Sequence, residues 1–110
     1  KQAWSLTRSA TLYQTQSGYT LHLRAKDKLI DFKDYQDMRQ VTAFNDQGTK
    51  KPALIGQDKS SQQWYLVDLS SGQVLAAISG TAPKQEDTSV GVHYSQQGDL
   101  VKAKWERLPQ

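Results

Sequence analysis

The chain has 110 residues, of which 36% are hydrophobic and 9% aromatic, with three Trp, five Tyr and no cysteine. Two domains are excluded, because each half would fall near the ~40–60 residues at which burial barely offsets chain entropy without disulfides or metal. One domain spanning 1–110 is expected, with enough apolar surface to argue against disorder. Fourteen Lys+Arg against eleven Asp+Glu leave a net charge of +3, short of the dense positive stripe of a dedicated nucleic-acid binder.

The dominant period is two. From Ala3 to Tyr13, Trp4, Leu6, Ala10 and Leu12 share one parity and Ser5, Thr7, Ser9 and Thr11 the other, which predicts a half-buried strand broken only by Arg8. Residues 14–18 end in Gly18 and form a turn. Tyr19, Leu21 and Leu23 then alternate with Thr20, His22 and Arg24, making the first thirty residues a long hairpin with His22 on its polar side. Leu29, Phe32, Tyr35, Met38 and Val41 recur every third residue, with Asp31, Asp34 and Asp37 offset by one. That spacing predicts one short helix or 3₁₀ turn over residues 31–39, followed by a short strand over 40–44.

Punctuation is regular beyond Asn45. Turns are expected at 45–48, 68–72 and 96–99, a polar loop at 56–61 and a longer unpatterned loop at 80–89. Residues 62–69 place Trp64 and Leu66 on one face and Tyr65, Val67 and Leu69 on the other, so this strand is covered on both sides and central. Residues 73–79 are a further strand. Val90, Val92 and Tyr94 alternate in the next, and Val101, Ala103 and Trp105 share a face in the last. The fold class is therefore mainly β: an antiparallel meander of seven to eight short strands forming a small barrel or sandwich, with one short helix near residues 31–39. Trp4 and Trp105 sit among aliphatics and are expected in the core, joining the first and last strands. The segment from Gln63 to Leu75, a strand ending in Asp68 and a turn ending in Gly72, is similar to a β-propeller hairpin of the quinoprotein type. It covers about a tenth of the chain and occurs once, whereas a propeller needs several blades.

Chemistry-bearing motifs are few. With no cysteine, thiolate catalysis and sulfur-ligated metals are excluded. His22 and His93 are the only imidazoles, both at polar strand positions, where exposure is the usual outcome and a catalytic role the sharper reading. Asp27, Asp31, Asp34 and Asp37 lack the spacing of a calcium loop and stand among Lys26, Lys28, Lys33 and Arg39, which reads as a charged surface. No catalytic residue, metal or other cofactor is expected. The favoured function is a non-enzymatic binding module acting through protein–protein contacts, as an inhibitor, immunity factor or cell-envelope or secretion component. Its contact residues are expected at Phe32, Tyr35 and Arg39 and, in the 80–89 loop, at Lys84, because Tyr and Arg anchor interfaces most often. The competing view of 31–39 has Phe32 and Tyr35 folding a short lid onto the open end of a barrel. The alternatives for the whole chain are an oligonucleotide-binding β-barrel and a small hydrolase or nuclease domain. The expected partner is another protein, with no specific nucleic acid and no membrane span. A start at Lys1 without an apolar leader and a Gln- and Ser-rich surface suit a secreted or periplasmic protein.

Overall fold

The computed structural model describes residues 2–109. Its N-terminal part is an open antiparallel sheet in the order β1-β2-β3-β4, made of β1 (Gln2–Thr7), β2 (Ala10–Gln14), β3 (Tyr19–Leu23) and β4 (Lys28–Phe32). The larger remainder is a closed barrel of β5 (Tyr35–Phe44), β6 (Lys50–Asp58), β7 (Trp64–Val67), β8 (Val74–Ser79), β9 (Val90–Gln97) and β10 (Leu100–Arg107), in the order β10-β8-β7-β6-β5-β9. The mainly β reading holds, and the architecture is a barrel carrying a sheet. Neighbours β1–β4 and β5–β8 run as antiparallel meanders. Two short parallel contacts, β10 with β8 and β5 with β9, close the barrel around the β9–β10 hairpin.

Three expectations are corrected. Residues 3–13 form two strands joined by a two-residue turn at Arg8 and Ser9: the turn sets Thr7 opposite Ala10, and a bulge between Ser5 and Thr7 then sets Trp4 opposite Leu12, so the apolar parity carries across the turn. Arg24 fastens that turn: its Nη2 donates to the Thr7 carbonyl at 2.9 Å and its Nε to the Arg8 carbonyl at 3.2 Å. The helix at 31–39 is absent, and the only helical turn among the described residues is the 3₁₀ turn Arg24–Lys26. Residues 31–39 instead end β4, turn at Lys33-Asp34 and begin β5. The period of three has two local causes. The turn separates Phe32 from Tyr35, and a bulge in β5, with Asp37 left-handed at φ 53, shifts the register between Gln36 and Arg39 and turns Met38 inward. Finally, Trp4 is exposed (37%), and β1 and β10 lie in different sheets, so the two tryptophans do not join first and last strands.

Two cores result. Leu12, Leu21, Leu23 and Phe32 of the sheet pack against Met38, Leu54, Val67 and Leu69 of the barrel. Ala43, Ile55, Leu66, Ile78, Val92 and Ala103 fill the barrel interior. In β6 and β7 successive residues serve opposite cores, Leu54 and Val67 the first, Ile55 and Leu66 the second, so these strands are apolar on both faces. The Asp68–Gly72 turn seats the sheet. Gly72 has φ +75, and a Cβ there would run into Ile30 Cδ1 of β4, so glycine meets both the left-handed backbone and the close approach.

Three loops repeat one local device, an Asp whose carboxylate accepts from a Ser two or three residues on. Asp58 accepts from Ser60 Oγ at 2.7 Å and from the Ser61 and Ser60 amides, and these bonds hold its carboxyl below the usual range. Burial pushes Asp68 up, but bonds from Ser70 and Ser71 and the charge of Lys51 outweigh it, so it too is lowered. Asp87, taking Ser89 Oγ at 2.6 Å, is lowered by that bond and the Ser89 amide. Glu106 is lowered by Lys104, against some desolvation, and by His93. All four carboxyls are depressed on folding, so their stabilisation is present above the unfolded values of ~3.9 for Asp and ~4.3 for Glu and lost as pH falls through the lower folded values. The urea midpoint should therefore hold between about pH 7 and 5 and drop below about pH 4. A midpoint unchanged to about pH 2.5 would contradict this.

Candidate functional site

Of the four expected contact residues, the structure brings two together. Arg39 follows the bulge of β5 and shares a face with Val41 and Ala43, which line the barrel interior. Its guanidinium carbon lies over the Trp64 ring, 4.9 Å from the centroid, within cation–π range. Trp64 is in turn braced edge-on by Trp105, with centroids 6.1 Å apart and planes at 84°. The 80–89 loop passes over this end of β5 and delivers Lys84, so Arg39 and Lys84 line one cleft of about 260 Å³ together with Thr42, Gln85, Val90 and Trp105. Phe32 lies elsewhere, 4% exposed in the sheet–barrel core and unavailable for contact. Tyr35 is half-buried beside it, with ring centroids 5.6 Å from Phe32 and 6.0 Å from Tyr65. Burial, then the nearby Tyr65, Asp58 and Asp34, raises its hydroxyl above the ordinary value.

A second cleft of about 270 Å³ lies on the other side of Arg39, lined by Trp4, Leu6, Leu12, Met38, Gln40 and Gln85. Arg39, Gln40 and Gln85 line both, so the two clefts adjoin at these residues, one toward β1 of the sheet and the other toward β9 and β10 of the barrel. Burial lowers the Arg39 guanidinium from its ordinary value, partly offset by the charge of Asp37. Arg39 nevertheless belongs to none of the ion pairs among the described residues. The Trp105 Nε1, also at this end of the barrel, is buried without an acceptor. Sequence periodicity offers no signal for Trp4, Gln40 and Gln85 as groove residues, or for Trp64 as the platform under Arg39, because all four reach the site through register and loop path.

The imidazoles stand apart from the groove. His93 is stacked on Phe44, with centroids 5.0 Å apart, and engages Asp46 through Nε2 at 2.8 Å and Glu106 through Nδ1 at 3.2 Å. Both of its ring nitrogens therefore face carboxylates. His22 Nε2 meets Asp27 at 3.2 Å on the outer side of the sheet. Among the described residues no group of three His, Asp or Glu side chains is placed to hold a metal ion, and no helix is long and apolar enough to cross a membrane. No protein family, curated protein or solved structure matches this chain.

Proposed function

We propose that this protein is a non-enzymatic binding module that acts through protein–protein contacts, made in the groove on either side of Arg39. The observation that carries this reading is the state of Arg39: held over Trp64 and partly desolvated, in no ion pair among the described residues, at the junction of two clefts. An arginine held against an aromatic ring has less side-chain entropy to lose on binding, which favours it as an interface anchor. Trp4 at 37% exposure and the amides of Gln40 and Gln85 add apolar area and adaptable donors and acceptors around it.

A photo-crosslinking residue at Gln85 tests the placement. In extracts of the cell that makes the protein, one partner should be captured from Gln85 and not from Asp31, which is exposed on β4. Equal capture from both positions, or from Asp31 alone, would move the contact off the groove.

A further inference from the structure

Resting on that reading, we propose that the group recognised at Arg39 is a carboxylate, from an acidic side chain or a chain terminus of an extended partner segment. Trp64 lies against the guanidinium, 4.9 Å from its Cζ, and the N–H groups of Arg39 join no ion pair among the described residues, so they remain for a ligand. That planar fork matches the two oxygens of a carboxylate, and a charge-assisted pair strengthens where water is partly excluded, as burial at Arg39 shows it to be. Local acids do not compete for it. Asp37 raises the basicity of Arg39 through its field but forms no ion pair with it, and Asp87, in the same cleft, turns Oδ1 to Ser89 and forms no ion pair with Arg39 either. Lys84 adds a second cation to the cleft. The same loop also carries Glu86 and Asp87, so the local charge is balanced: it admits one carboxylate and disfavours the run of phosphates of a nucleic acid. The second cleft adjoins at Arg39 and is lined by Trp4, Leu6 and Leu12, which gives the residues flanking that carboxylate an apolar bed.

The test uses defined probes on the whole chain, titrated while following the Arg39 Nε–H and the Trp64 and Trp105 indole N–H resonances. The probes are a capped peptide acetyl-Ala-Leu-Glu-Leu-Ala-amide, the same peptide with Gln in place of Glu, and acetyl-Ala-Leu-Ala-Leu-Ala with a free C-terminal carboxylate. At least one carboxylate probe should bind about tenfold or more tighter than the neutral one and shift the Arg39 resonance. The stronger of the two identifies side chain or terminus as the source. Arg39→Gln should erase the preference, and Arg39→Lys should keep part of it, retaining charge without the fork. Binding of both carboxylate probes no tighter than the Gln peptide, absence of binding by every peptide up to about 10 mM, or single-stranded oligothymidylate binding tighter than roughly 1 μM at about 150 mM salt would each overturn the proposal. If capture from Gln85 persists while the peptides show no carboxylate preference, the groove reading stands and its chemistry falls.

Discussion

Leu54→Ala should destabilise the protein by about 2–5 kcal/mol, the usual range for a fully buried leucine whose cavity cannot collapse. Leu54 is 0% exposed and packs from β6 toward the sheet, in the cluster with Leu12 (1%), Leu21 (0%) and Val67 (0%). Two layers meet at that point, and neither can close the gap without shifting a paired strand. The loss is a large share of the ~5–15 kcal/mol that holds a domain folded, so the urea midpoint should fall steeply. Trp4→Ala should cost much less despite the larger side chain, since Trp4 is 37% exposed and its ring meets Tyr19 at 6.2 Å on one side only. A Leu54→Ala loss below about 1 kcal/mol would mean that the sheet does not dock on the barrel as described.

The second large effect is expected at the seam of the barrel. Gly91 of β9 faces β5, and a Cβ there would collide with the backbone oxygen of Thr42 as well as with Leu108 Cδ2. A carbonyl within a paired strand cannot swing aside as a side chain can. The β5–β9 contact is also short, with Ala43 opposite Val92 and Phe44 opposite His93. Gly91→Ala should therefore cost about 1–3 kcal/mol through overpacking and speed amide exchange in β5 and β9 ahead of β6 and β7. Exchange that accelerates uniformly, or not at all, would show that the seam tolerates the methyl group.

Alternation marks most strands of this fold because each has one face on a core, and β7 reads as central because Leu66 and Val67 serve different cores. Where the pattern misleads, a local backbone event is responsible. The two-residue turn at Arg8-Ser9 reverses parity and the bulge between Ser5 and Thr7 restores it, so two strands read as one. The Lys33-Asp34 turn and the Asp37 bulge each add a residue between apolar positions, so a strand–turn–strand passage takes on the period of a helix turn. Trp4 has the right parity for burial but belongs to an edge strand, and parity carries no information about how far the opposing layer extends. The groove is half legible. Arg39 and Lys84 stand out as an interface-type residue and a cation in an unpatterned loop. Their meeting across 45 positions of sequence depends on barrel closure, and Phe32, chosen for the same irregular stretch, goes into the core instead.

The central claim is that partners are held at the Arg39 groove, and calorimetric titration tests it most directly, with the partner captured from Gln85 set against the wild-type chain and Arg39→Glu/Lys84→Glu. Both side chains line the same cleft and join no ion pair among the described residues, so reversing them should lower the urea midpoint only by the roughly 0.5–2 kcal/mol of the lost Arg39–Trp64 contact and leave the fold intact. The account predicts that the double variant loses affinity by about a hundredfold or more, as removal of a buried charge-assisted contact does. Affinity within about twofold of wild type, with the variant folded, would contradict it.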